Sequence, residues 1–503
     1  MADLKPRLPF SNSIPKLGST MNHYPTPIRF SLLTLSLLAS NLRVLAADAT
    51  PAPAATTDQA TAAPATTAST TPPKSTALKD ADGRTVYKTA TTGHITNYYE
   101  DKIPPYTLPD PLVLANGTPV KDADTWFKQR RPEIIEYYKE DIYGRVPATA
   151  PKVTWQVAST DPAALNGAAV MKKLVGTFGS GPDAPQMNVT LYTPAKATGP
   201  VPVVLSLSFG FGGGAAPSPN LSLTTVDPTK VPATPPAPVP GAARGRGRGP
   251  IGPGEPVADI IARGYGYAVV RYTEIEHDTQ YQPNVDIVRK LALAPGQDKP
   301  APDEWGTISA WAWGASRIMD YFETDKDVDA KRVALVGHSR LGKTVLWAGA
   351  QDTRFSIVFS SQGGELGSSI GRRDYGETID DMAQNYGYQF AGNLQKYAGH
   401  WNDMPVDTHF LISLIAPRPL LITGGTGDQW SDPHGEFLGE VAAGPVYQLT
   451  GAKDLGTNQW PAPEVPLIAG DLAYYYHTGP HAITPADWVV FLNFADKYWQ
   501  TKK

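Results

Sequence analysis

The strongest constraint on the fold is a series of short, nearly uninterrupted apolar runs alternating with helix-like segments. The runs are VPVVLSLSF (Val201–Phe209), YGYAVVRY (Tyr265–Tyr272), RVALVGHS (Arg332–Ser339), FSIVFSS (Phe355–Ser361) and PLLITGG (Pro419–Gly425). Each reads as a strand buried on both faces, because a half-solvated strand would alternate apolar and polar residues. Between them lie Glu255–Gly264, Trp305–Thr324 and Arg340–Asp352, with apolar residues at helical spacing, and Pro485–Trp499 repeats the pattern at the end. Strands buried on both faces and interleaved with helices imply an α/β protein, a three-layer α/β/α sandwich around a mainly parallel central sheet. In such a sheet the chemistry sits on loops at the carboxyl ends of the strands.

One of these junctions carries chemistry. The run RVALVGHS passes directly into Gly337-His338-Ser339-Arg340-Leu341-Gly342, and the helix-like segment starts at once. A tight strand-to-helix turn lifts a serine hydroxyl above the sheet, and the new helix offers unpaired backbone N–H groups where an oxyanion would form. This is the turn of the α/β-hydrolase fold, with one departure: the second glycine is Gly342, and Leu341 occupies the usual place. A serine needs a base, and the base needs an acid to hold its tautomer. In this fold they follow in the order Ser, acid, His. Beyond Ser339 the histidines are His400, His409, His434, His477 and His481. His481, in the loop before the last helix, is the expected base, with His477 as its nearest rival. His338 precedes the serine and is expected to support rather than to act. Asp428 follows the run ending at Gly425 and is the expected acid, with Asp432 as the alternative.

The rest of the chain sets limits. The 503 residues carry a formal net charge of −4, too little to suggest a nucleic-acid or membrane surface. There are no cysteines, which removes disulfides and thiolate chemistry. Lys5, Arg7, Lys16 and Arg29 precede an apolar run, Phe30–Ser40, and Ala46, Ala47 and Ala49 follow. That order is an export signal over residues 1–47, too short to span a bilayer, with Met21 as an alternative start. Arg43 after the apolar run is atypical. Residues 48–79, almost all Ala, Thr, Pro and Ser, read as a flexible tether, leaving 80–503 as the catalytic domain. Within it, 212–256 is a Gly/Pro-rich insert read as a surface loop. No metal or organic cofactor is expected, because the histidines are scattered. A monomer, secreted or periplasmic, is expected.

Several stretches, among them GHSRLGKTVLWAGAQDTRF, RRDYGETI, MPVDTHFLISLIAPRPL, DQWSDPHGEFL and PHAITPADW, resemble bacterial glucuronoyl esterases, carbohydrate esterase family 15. The resemblance spans roughly Leu108 to Lys503. It implies hydrolysis of the ester between 4-O-methyl-glucuronic acid on glucuronoxylan and an alcohol of lignin. It also implies that Ser339 is the nucleophile and that Arg340 helps to stabilise the oxyanion. Lys343, Glu377 and Trp430 would bind the uronate. Many members carry a catalytic Glu where this chain has Gln362, which leaves the acid to Asp428; Gln362 is then expected to donate a hydrogen bond to substrate, and Glu365 is a stand-in acid. Two other readings stay open: another carbohydrate esterase, such as an acetyl xylan esterase, and a glycan binder without turnover.

Overall fold

In the computed structural model, residues 75–210, 255–278 and 286–500 are described. The export signal at 1–47, most of the tether and the insert up to residue 254 lie outside these residues. Two boundaries shift. Strand β1 (Thr76–Lys79), placed in the tether by composition, pairs antiparallel with β2 (Thr85–Lys88). Glu255, placed in the insert, accepts a hydrogen bond from the Ser206 hydroxyl at 2.6 Å, and Pro256 directly precedes the helix Val257–Ala262.

The central sheet has nine strands: β3 (Val153–Ala163), β4 (Ala169–Phe178), β5 (Gln186–Pro194), β6 (Val201–Ser208), β7 (Gly266–Arg271), β8 (Val328–His338), β9 (Phe355–Ser361), β10 (Leu420–Gly425) and β11 (Leu472–His477). Their order across the sheet is β11-β10-β9-β8-β6-β7-β5-β4-β3. All pairs from β11 to β7 are parallel, and β7–β5, β5–β4 and β4–β3 are antiparallel. The fold is the three-layer α/β-hydrolase sandwich that the alternation predicts. The antiparallel strands were not legible as apolar runs because they are partly solvated: along β5, Met187, Val189 and Leu191 are buried while Gln186 and Asn188 are exposed.

Side chains of the parallel strands alternate between two cores, as a pleated strand requires. Val203, Leu205, Val333, Leu335, Leu420 and Ile422 join one core under the helices Thr307–Phe322, Arg340–Gln351 and Pro433–Leu449. Val204, Ala334, Val336, Ile357, Phe359 and Leu421 join the other, under Val257–Ala262 and Pro485–Trp499. The chain runs from β6 out to β7, then returns to β8 on the other side of β6. This reversal opens a crevice at the carboxyl ends of β6 and β8, where ligands bind in open α/β sheets. Ser339 stands at that point. Among the described residues no helix is long and apolar enough to cross a membrane.

Candidate active site

Ser339 leaves the end of β8 with φ 59° and ψ −128°, a backbone conformation that costs an L-residue free energy and persists only when its surroundings impose it. They do so here. The Ser339 N–H donates to the Ser361 carbonyl at 2.8 Å, and its own carbonyl accepts from Lys343 N–H at 3.1 Å. A Cβ on Gly337 would lie 2.2 Å from the Leu341 carbonyl oxygen, and one on Gly342 would lie 2.9 Å from the Ser361 carbonyl oxygen. The helix thus presses its turn against β8 through Gly337 and against β9 through Gly342. Leu341 is fully buried in the core and needs no glycine. The departure from the common turn pattern is therefore a change in which residue meets the neighbouring strand.

Asp428 and His481 sit on the loops after β10 and β11, strands parallel to β8 and open at the same edge. His481 Nδ1 lies 2.5 Å from Asp428 Oδ2. The loops are stitched together by Thr426 N–H to the His477 carbonyl (3.0 Å) and Gly427 N–H to the Gly479 carbonyl (2.8 Å). A third bond runs from Gly479 N–H to the Thr426 hydroxyl (3.1 Å). Asp428 is 1% exposed. Burial alone would raise its pKa, but the charge and hydrogen bond of His481, helped by Ser431, outweigh burial and hold the carboxyl below its ordinary value. The His338 ring lies 4.4 Å from that of His481; burial, then His481, pushes its pKa well down, so it stays neutral at neutral pH.

The rivals have other partners. His477 is buried, with Nδ1 3.0 Å from Asp487 and Nε2 3.2 Å from the Pro480 carbonyl. Asp432 accepts from Arg373 at 2.8 Å and caps the helix Pro433–Leu449 through Gly435 N–H at 2.9 Å. Glu365 accepts the Leu366 N–H at 3.0 Å, and burial beside Asp407 and Glu377 raises its pKa far above the usual value.

Of the residues assigned to substrate, three converge. Lys343, one helical turn from Ser339, donates to Glu377 Oε1 at 2.7 Å and to the Gly363 carbonyl at 2.6 Å. Glu377 N–H donates to the Trp430 carbonyl at 2.8 Å. Trp430 is partly exposed, and its indole forms a T-shaped pair with Tyr87, ring centroids 5.4 Å apart. Lys343 and Glu377 are buried, and two of the three ammonium protons are used within the protein. Gln362 lies apart from these three. It is 1% exposed, and its amide donates to the Pro480 carbonyl at 3.3 Å, one residue before His481.

Arg340, expected at the oxyanion, is ion-paired with Asp278. Asp278 also accepts from the Tyr272 hydroxyl (2.6 Å) and the Tyr388 hydroxyl (2.5 Å). The sequence reading missed Asp278 and Tyr87. Asp278 was findable, since it follows a predicted strand at its carboxyl end. Tyr87 was not, because nothing local ties it to a loop hundreds of residues away.

Comparison with known proteins agrees with this geometry. A family model described as glucuronyl esterase, fungi, matches residues 300–451. A carbohydrate esterase from an unknown prokaryotic organism is 38% identical over 402 residues, covering 80% of this chain and 92% of its own. The solved glucuronoyl esterase from Solibacter usitatus is 43% identical with a TM-score of 0.68, covering 80% of this chain and 100% of its own. A carbohydrate esterase family 15 glucuronoyl esterase from Teredinibacter turnerae is 33% identical with a TM-score of 0.67, covering 80% and 93%. With its strained serine and its histidine–aspartate pair at one edge of the sheet, the chain belongs to the glucuronoyl esterases of carbohydrate esterase family 15 and is a carboxylic ester hydrolase.

Proposed function

We propose that this enzyme cleaves the ester between 4-O-methyl-glucuronic acid of glucuronoxylan and a lignin alcohol, using Ser339, His481 and Asp428 as its triad. The supporting observation is the 2.5 Å His481–Asp428 contact on loops stitched together at the same sheet edge as Ser339. His481 takes the Ser339 proton as the hydroxyl attacks the uronoyl carbonyl, and Asp428 stabilises the resulting imidazolium. The N–H groups opening the helix Arg340–Gln351 and the guanidinium of Arg340, held in place by Asp278, stabilise the oxyanion. The tetrahedral intermediate then collapses: the bond to the alcohol oxygen breaks, and His481 returns its proton to that oxygen. Water, activated by the same base, releases the uronic acid and restores Ser339. Glu377, backed by the Lys343 ammonium, accepts hydrogen bonds from sugar hydroxyls, and the Trp430 indole packs on the pyranose ring.

The test is hydrolysis of benzyl glucuronate beside p-nitrophenyl acetate, for the enzyme and its Ser339→Ala variant. Serine-dependent turnover of the glucuronate with little acetate activity is expected; a preference for acetate would move the substrate class elsewhere. The proposal includes an enzyme that acts outside the cytoplasm as a monomer. N-terminal sequencing of exported protein and sedimentation equilibrium test those two points.

A further inference from the structure

The loop that carries His481 is held by more than its stitching to the acid loop. The carbonyl of Pro480, the residue immediately before His481, faces two buried donors: Gln362 Nε2 at 3.3 Å and His477 Nε2 at 3.2 Å. Gln362 comes from the end of β9 with φ 49°, fixed by its N–H to the Thr423 carbonyl at 2.8 Å. His477 ends β11. Between them lies Gly425, the last residue of β10. A Cβ there would sit 2.5 Å from Gln362 Nε2, 2.8 Å from His477 Nε2 and 3.0 Å from the Pro480 oxygen. The ends of β9 and β11 therefore meet on one carbonyl, beside the end of β10, in a space that admits no side chain at Gly425.

The partners of His477 fix its protonation. Its Nδ1 lies 3.0 Å from Asp487 Oδ1, while Asp487 Oδ2 accepts from the Thr484 N–H (2.6 Å) and hydroxyl (2.8 Å). Those contacts call for an ionised carboxylate, so Nδ1 must donate. The Pro480 carbonyl has no proton, so Nε2 must donate as well. We propose that His477, as a doubly protonated imidazolium, and Gln362 are positioning residues that hold the Pro480 carbonyl and through it set His481 against Asp428. The proposal rests on His481 being the base. Neither residue touches substrate; both act through the peptide that precedes the base.

A pH dependence follows. The charged and titratable groups facing His477 are Asp487 on the last helix, Glu464 on the loop before β11, and His338 across the site. Burial disfavours the imidazolium, but Asp487, then the Pro480 carbonyl and then Glu464 outweigh it, so its pKa stands above the ordinary histidine value. The cation therefore persists to higher pH than an ordinary imidazolium and is lost as pH rises through that raised value. The proton leaves Nε2, because Asp487 keeps the one on Nδ1. A lone pair then faces the Pro480 oxygen, and the loop loosens.

The test combines imidazole NMR with kinetics on the full chain. In ¹⁵N-histidine-labelled enzyme near neutral pH, both ring nitrogens of His477, assigned with His477→Gln, should carry protons. Asp487→Asn should lower kcat on benzyl glucuronate about ten- to a hundredfold with little change in KM, and should move the alkaline limb of the pH profile to lower pH. Gln362→Met, which removes a donor without adding a titrating group, should lower kcat about tenfold and leave that limb in place. A neutral His477 would overturn the proposal, as would an Asp487→Asn enzyme with wild-type kcat or an unshifted limb. If Asp487→Asn does not fold, unchanged kcat in Gln362→Met overturns it equally. Persistent turnover in His481→Ala is a separate result, which removes the assignment of the base itself.

Discussion

Ser339 shows how much one residue's backbone can cost. At φ 59° and ψ −128° it occupies a region that glycine enters freely and other residues do not. Ser339→Gly should therefore be more stable than Ser339→Ala by about 1–3 kcal/mol, read from urea denaturation, although both lack the proposed nucleophile. Equal stabilities would mean that the turn is not strained. In the proposed triad Asp428 acts through charge and tautomer rather than contact with substrate. Asp428→Asn should lower kcat about ten-thousandfold while leaving KM within a few-fold, because the wrong imidazole tautomer is favoured. The folded carboxyl titrates below its ordinary value, so the pair's contribution is complete above that ordinary value and fades only as pH falls through the lower one. Steady-state kinetics on the variant, and retention of the wild-type fold under mildly acidic conditions, check the two halves of this statement.

At the scale of elements, the site is assembled by pieces far apart in sequence. The segment containing β1 and β2 lies against the loop that carries Glu377. Thr91 N–H donates to Gln384 at 2.9 Å, His94 pairs with Asp374 at 2.7 Å, and Gly376 N–H donates to the Asn97 carbonyl at 2.9 Å. Its Tyr87 makes the T-shaped contact with Trp430. An aromatic edge contact of this kind contributes about 0.5–1.5 kcal/mol beyond area burial, and here it fixes the orientation of an indole proposed to carry the sugar. Tyr87→Ala should raise KM for benzyl glucuronate several-fold with kcat nearly unchanged, and leave hydrolysis of a small acetate ester unaffected. A parallel fall in kcat on both esters would point instead to general damage to the site. Elements nearer the sheet are held by conventional packing. Trp347 on the nucleophile helix is fully buried, stacks on Tyr143 at 5.0 Å and donates to the Ser309 hydroxyl at 2.9 Å.

Across the whole molecule, the layer behind the site holds acids that cannot ionise cheaply. Glu436 and Glu440 lie one turn apart on the helix Pro433–Leu449, both fully buried. Burial is the main cause that raises both pKa values well above the carboxylate range, and for Glu440 the neighbouring Glu436 adds to it. Glu436 has a use for its position, accepting from the Ser368 hydroxyl at 2.6 Å and Gly364 N–H at 3.2 Å beneath the glycine-rich loop. Groups whose folded pKa is raised hold protons that the unfolded chain releases. Their contribution is present below the unfolded pKa and is lost as pH climbs toward the folded one. Glu440→Gln should therefore be close to wild type in stability at about pH 5 and more stable by about 1 kcal/mol or more at about pH 8, measured by chemical denaturation. A variant less stable at both pH values would show that the carboxyl makes a contact worth more than the cost of its burial.

Five of the six strands in the sheet's parallel half, the strand-to-helix turn at Ser339 and the helices Val257–Ala262, Thr307–Phe322, Arg340–Gln351 and Pro485–Trp499 were legible because they depend on local pattern; β11 and the helix Pro433–Leu449 were not read. A strand buried on both faces must be apolar throughout, and a serine at a strand-to-helix turn with glycines at fixed offsets is a pattern that the geometry of the nucleophile turn itself demands. Loop positions after predicted strands singled out His481 and Asp428, which the fold brings within 2.5 Å of each other, although not what His477 and Asp432 do. That needed the folded chain. His477 and Gln362 meet at Pro480 only because β9, β10 and β11 lie side by side, and Arg340 meets Asp278 only because the chain reverses around β6. Tyr87 reaches Trp430 by the same kind of long-range closure. Local sequence carries propensity and periodicity, which decide elements. Contacts between residues distant along the chain are set by sheet order and by the burial of both core faces at once, and no local window contains that information.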